Sequence, residues 1–327
     1  RGAGHAMPPL GWRELIIFAG GIAAGLAPLV LYNLLSGWAT LRTVSSSATE
    51  TYLGQNNTEV LRNLVVRLGQ AADVVRSGDH LWYLGGTFRN DIALGSVLIA
   101  LVILALAALR EGWRAALLVP FLALAAIAQS CFTISALWPT HFAVATPLPA
   151  MIFGIAVDRV FRWTSWRRLG TRLGRTLVMV AAVAVVASQA ATSWQYRNAV
   201  VASGGLSFHS ASIYDLSRFL DGRTEHAVAL DWGLAAPVEY LSGGGRDVEE
   251  LYQYQPGAPG LAEALRPRFD TRGDDLYITH ATNAEAFPQR EAFLGIVAQS
   301  GRWAERVDTF MGRNGNPEIE VWRVRRP

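Results

Sequence analysis

The sequence predicts an α-helical membrane bundle of about five transmembrane helices followed by a small extracytoplasmic α/β domain, and three observations carry that expectation. First, 51% of the 327 residues are apolar and 17% are charged, with a mean hydropathy of +0.23, which is too apolar for an average soluble chain. Second, the apolar residues gather in long uncharged blocks before Trp194, while most of the charge and the Gly/Pro punctuation follow it. Third, arginine is distributed asymmetrically among the connections between those blocks. The expected units are 1–194, a transmembrane domain with an outer loop and amphipathic helix at 36–91, and 195–327, an extracytoplasmic α/β domain.

A helix rises 1.5 Å per residue, so roughly 20 apolar residues cross a hydrocarbon core of about 30 Å. Leu15 to Leu35 is the first such block and Ile92 to Leu109 the purest. Ala115 to Leu137 follows after the short Arg110–Arg114 turn, which forces a tight helical hairpin. Trp138 to Val157 is the fourth block, with Pro147 and Pro149 inside it, and Thr176 to Trp194 is the fifth. The two prolines leave a kinked or re-entrant segment as the alternative for the fourth, because lipid cannot replace the lost backbone donors.

Orientation follows from arginine counts. With a cytoplasmic N-terminus the inner segments hold Arg1, Arg13, Arg110, Arg114 and the run Arg159, Arg162, Arg167, Arg168, Arg172 and Arg175. The outer Trp138–His141 link holds none, and the long 36–91 loop balances its arginines with acids. The positive-inside rule therefore places the C-terminal domain outside a multi-pass inner (plasma) membrane protein. Trp163 and Trp166 suit the interface beside the arginine run, which reads as an anchor on anionic headgroups rather than a nucleic-acid surface.

In the outer loop, Val60, Leu61, Leu64, Val65, Leu68, Ala72 and Val75 recur at helical spacing, with Glu59, Arg62, Arg67, Asp73 and Arg76 opposite them. This is an amphipathic helix lying on the membrane or over the bundle, started by a capping box at Asn56 and Glu59 and stopped at Gly78; its charged face, Asp73 included, is expected to be solvated. Beyond Trp194 the period changes. Ala227–Leu230 and Leu276–Thr279 read as buried strands, a helix runs to Leu241 and another covers Glu291–Ser300, and Trp303–Phe310 and Glu318–Arg325 alternate as paired antiparallel strands. Gly243–Gly245 has neither a following Lys-Ser/Thr nor Gly-x-Gly-x-x-Gly spacing, so it is a turn and not a nucleotide loop.

No zinc spacing, Gly-x-Ser-x-Gly elbow or HExxH sequence is present, and no metal site is expected. The single cysteine, Cys131, is a packing residue. The polar groups that draw attention are His80 and Arg89, just before the second block, and His141 at the opening of the fourth. Their alternative role is interfacial anchoring.

Leu26-Ala27-Pro28-Leu29-Val30-Leu31-Tyr32-Asn33 before a long outer loop, and His141-Phe142-Ala143-Val144-Ala145-Thr146-Pro147-Leu148-Pro149-Ala150, resemble segments of bacterial family 39 glycosyltransferases. These are relatives of the protein O-mannosyltransferases and aminoarabinose transferases, with the multi-span C-type fold. Asp231-Trp232-Gly233 with Glu239-Tyr240-Leu241 is similar to the strand-to-helix corner of their outer domain. The family opens its late span with Arg-Tyr, where this chain has His141-Phe142.

The resemblance implies sugar transfer from a polyprenyl-phosphate donor to a glycan, lipid or protein acceptor at the outer face, and Arg89, His141 and His80 lie at the interfacial depth where the lipid phosphate stops. In the family the catalytic carboxylate sits in a first outer loop, which implies that the sequence is a C-terminal part and that its own carboxylates (Glu50, Glu59, Asp73, Asp79, Asp91) do not supply the base. The rival reading is a non-catalytic membrane anchor presenting an extracytoplasmic α/β binding domain. A transporter is disfavoured because charges cluster at the ends of the blocks.

Overall fold

The computed structural model describes residues 11–40, 42, 59–132, 139–143, 145–165, 171–252 and 260–326. Asn56 of the expected capping box, Glu50, Trp138, Trp166, Arg167 and Arg168 lie outside the described residues. The chain divides into two compact units, Arg1–His80 with Arg89–Ala191, and Leu81–Phe88 with Thr192–Pro327. The second unit therefore takes eight residues from the 36–91 loop, which the expected 195–327 domain leaves out.

Among the described residues of the first unit, the helices are α1 (Trp12–Leu35), α2 (Val60–Val75), α3 (Asp91–Glu111), α4 (Leu118–Ser130), α5 (Pro147–Ser165) and α6 (Thr171–Ser203), whose residues from Thr192 belong to the second unit. Among the described residues, three helical stretches are long and apolar enough to cross a membrane: Leu15–Leu35, Asp91–Glu111 and Arg172–Ser203. The most apolar stretch of α1 buries nothing, and Ile16 and Phe18 are 68% and 67% exposed. In water each such side chain forfeits about 1.5–3 kcal/mol of burial, whereas lipid solvates it. The chain is a membrane protein.

Asn90 caps α3 by accepting from the Ala93 N–H at 3.1 Å, and its amide donates to Ser188 and Gln189 of α6 at 3.2 and 3.0 Å. Gly112, at φ 67, ends α3, and the chain returns through a short 3-10 turn into α4. Ala100 and Leu104 of α3 pack against Ile152 and Ala156 of α5 and Val119 of α4; small residues let apolar helices approach closely. Pro147 and Pro149 do not interrupt a helix as the sequence reading had it: they open α5, where a missing backbone donor costs nothing.

The second unit is a three-layer α/β/α sandwich. Its strands are β1 (Ala227–Ala229), β2 (Val248–Glu250), β3 (Leu276–His280), β4 (Trp303–Met311) and β5 (Pro317–Arg325), in the order β2-β1-β3-β5-β4. The β1/β2 and β1/β3 pairs are parallel, while β3/β5 and β4/β5 are antiparallel. Alternation along the strands fills both faces. Ala227, Ala229, Leu276 and Ile278 meet α7 (Ser212–Leu220) and α8 (Ala235–Leu241); Val228, Leu230 and Tyr277 meet α9 (Leu261–Thr271) and α10 (Arg290–Gln299).

Leu81–Phe88 is held to this unit by Leu206 N–H on the Tyr83 carbonyl at 3.0 Å, Phe88 N–H on the Tyr196 hydroxyl at 3.0 Å and an edge-to-face Trp82–Phe208 pair at 5.9 Å. Gly85 is required there: at φ 101, a Cβ would stand 2.7 Å from the Ala199 carbonyl oxygen.

Candidate functional site

The polar groups of the first unit converge where α2 ends. Asp73, with its side chain 4% exposed, accepts from Arg76 Nε and Nη2 at 3.0 and 2.8 Å through Oδ1. Through Oδ2 it accepts from the His80 backbone N–H at 3.0 Å and pairs with His80 Nδ1 at 2.5 Å. Burial pushes the Asp73 carboxyl up, but the His80 side-chain and backbone bonds, together with Arg76 and the Asp79 N–H, outweigh it and hold the group down at about 2. Gly78 is demanded by this packing and not by backbone conformation, since a Cβ would fall 2.0 Å from Asp73 Oδ1. The left-handed residue at the helix end is Ser77, at φ 56. Arg89 pairs bidentately with Asp79, both about half exposed, and the hydrogen bond to Asp79 raises the guanidinium pKa.

The expected solvated face of α2 is split: Glu59 and Arg62 are exposed and pair with each other, whereas Arg67 and Asp73 are buried. Asn63, Arg67 and Asp73 are its buried residues, whereas Leu61 and Val65 are exposed. Asn63 and Arg67 donate to the carbonyls of Cys131 and Ser130 at 3.1 and 3.3 Å, satisfying free acceptors at the end of α4. Burial lowers the Arg67 pKa from its ordinary value.

Behind this helix lies an apolar groove of ≈ 290 Å³, lined by Leu68 and Val75 of α2, Leu94 and Leu101 of α3, Ile127 of α4 and Phe142, among others. His80 and Arg89 therefore carry adjacent ion pairs beside the end of α2. His141 is exposed on a separate 3-10 turn, Pro139–Phe142, that packs against α2 and contributes Phe142 to the groove. Asp73 is the residue whose role sequence reasoning missed; its signal was its spacing of three from Arg76 and seven from His80. Among the described residues no group of three metal-ligating side chains forms.

The second unit has its own polar centre at the carboxyl ends of β1 and β3, where the strand order reverses direction and α/β sheets place their ligands. Asp231 and His280 pair at 2.8 Å with both side chains 2% exposed. Asp231 also accepts the backbone N–H groups of Trp232, Ala286 and Phe287 at 2.8–2.9 Å. It thus orients His280 and fixes the loop after β3. Ser212 Oγ, buried without a hydrogen-bond partner among the described residues, belongs to a residue that lines a small cavity of ≈ 150 Å³ with His280 and His209. Burial, then His280, lowers the His209 pKa. No family model, curated protein or solved structure matches the chain.

Proposed function

We propose that this chain is a membrane glycosyltransferase that moves a sugar from a polyprenyl-phosphate donor to an acceptor at the extracytoplasmic face. One observation carries the reading: an apolar groove runs along α2, and the same helix ends in a cluster of cations and imidazole. A prenyl tail is soluble in such a groove, and its phosphate must stop where the chain turns polar. Asp73 holds His80 through Nδ1–H, so that in the imidazolium form Nε2–H is left to donate to an incoming phosphate oxygen. The exposed Asp79 releases Arg89 at little cost, because solvent screens an exposed ion pair. Held at about 2 and saturated with donors, Asp73 is a poor base, so the cluster binds the donor and does not deprotonate the acceptor.

In this reading the chain crosses the inner (plasma) membrane five times, with α4 and α5 joining the three long spans and the N-terminus inside. The Glu111–Arg159 pair, with Arg159 5.1 Å from the Trp113 ring and 5.8 Å from that of Trp163, supports an interfacial belt at the cytoplasmic end of α3. A second reading, a membrane anchor presenting a binding domain, draws support from the second unit's own sheet, which carries a packed hydrophobic cluster on each face.

The test is polyprenyl-phosphate affinity of the chain in phosphatidylcholine nanodiscs. Arg89→Ala is expected to weaken it about tenfold and His141→Ala by less, through loss of charge-assisted and neutral bonds. Unchanged affinity in both variants returns these residues to anchoring and favours the second reading.

A further inference from the structure

The second unit holds a cavity of ≈ 500 Å³ that the transferase reading does not use, within the roughly 300–1,000 Å³ typical of small-molecule sites. It opens beside the carboxyl end of β3, between the loop 281–284, the β4–β5 turn and the strap that brings Trp82. Its lining contains no basic residue. The polar groups are instead side-chain amides, Asn283, Asn314 and Asn316, with hydroxyls from Ser207 and Thr282 and the carboxyls of Glu318 and Glu320. Glu320 is committed to Arg290 and Arg306 at 2.6 and 3.1 Å. Glu318 is different: it is 4% exposed, and no ion pair to it forms among the described residues. Burial raises its pKa, opposed by the Asn314 amide and then by His280. A buried carboxyl left without a cation at a cavity wall is a costly group that a ligand's donors can satisfy.

The geometry points to a saccharide-binding site in this cavity, with Trp82 as the stacking platform and Asn283, Asn314 and Glu318 as hydroxyl partners. A pyranose offers an apolar C–H face to an indole ring and a rim of hydroxyls that both donate and accept. Amides match that rim because each carries a donor and an acceptor, and the carboxyl accepts the remaining protons. Trp82 is already fixed edge-to-face against Phe208 and Tyr83, so little rotamer freedom is lost on stacking. An anionic ligand, including a lipid phosphate, meets only carboxyls here and is repelled. A quaternary ammonium calls for several aromatic faces, and a single lining ring does not make a cage. The site stands on the second unit's own geometry and does not rest on the transferase reading.

The experiment uses the full chain in phosphatidylcholine nanodiscs, free of sugar-headed detergents, and methyl glycosides of mannose, glucose, galactose and arabinose followed by saturation-transfer NMR. At least one glycoside should bind saturably with Kd at or below about 10 mM. Trp82→Ala and Glu318→Ala should each weaken it about tenfold or more, and tetramethylammonium should not compete. Asn283→Ala, at an exposed position that leaves the packing intact, should also weaken binding. Polyprenyl phosphate affinity, measured in the same samples, should not change in Asn283→Ala, so failure of the donor reading is seen separately. No saturable binding by any glycoside, binding unaltered in Asn283→Ala and Glu318→Gln, or full competition by tetramethylammonium would overturn the proposal.

Discussion

Replacing Asp73 with Asn should open the turn that carries His80. The carboxyl is held at about 2 against an ordinary value of 3.8, and at about 1.4 kcal/mol per unit its ionisation contributes about 2.5 kcal/mol to the closed turn. Because the folded value is depressed, this contribution is fully present above the ordinary carboxylate range and is lost as the pH falls from about 4 through 2. Asp73→Asn removes it at neutral pH and also offers an N–H toward Arg76 where an acceptor is needed. Native-state hydrogen exchange at the His80 amide, which donates to Asp73 at 3.0 Å, reads the opening directly. The variant should open about 60-fold more often at pH 7, and after correction for intrinsic rates the wild type should lose the same protection between pH 4 and 2. A variant within about 0.5 kcal/mol of wild type, or wild-type protection that is flat down to pH 2, would refute the reasoning.

Two further outcomes are expected. Gly85→Ala should destabilise the second unit by about 2–4 kcal/mol through its positive φ and the collision with the Ala199 carbonyl, read as a lower midpoint in thermal unfolding; an unchanged midpoint would detach the 81–88 strap from that unit's stability. A reporter that works only outside the cytoplasm, fused after Pro327, should be active, whereas activity of a cytoplasm-only reporter there would invert the topology.

The apolar helices were legible because length and lack of charge decide them: the blocks at Leu15–Leu35 and Ile92–Leu109 match α1 and α3 to within a few residues. The β4–β5 hairpin was equally open to reading, since two β-rich runs flank a Gly/Asn/Pro turn. β2 was missed because Val248–Glu250 is three residues long and carries two acids, one of them paired with Arg268 from α9. α9 itself was hidden by Pro267 in its interior.

The most instructive error concerns α2. Helical spacing placed Glu59 and Arg62 correctly in the open, but periodicity does not say what the later members of a charged stripe meet, and the end of α4 and the 73–80 turn bury them. Asp73 and Arg67 were thus read as solvated when they are buried partners. The Asp231–His280 pair was out of reach for another reason: its members are 49 residues apart, and only the parallel register of β1 and β3 brings them together.

The central claim, a prenyl-phosphate donor lying along α2, is tested most directly by photo-crosslinking with a diazirine-tagged polyprenyl phosphate in nanodiscs, followed by peptide mapping. Adducts are expected on groove residues such as Leu68, Val75, Leu94, Leu101 and Phe142, suppressed by untagged polyprenyl phosphate and reduced in Arg89→Ala. Adducts confined to the exposed faces at Ile16, Phe18, Leu61 and Val65, with no competition by untagged lipid, would contradict it.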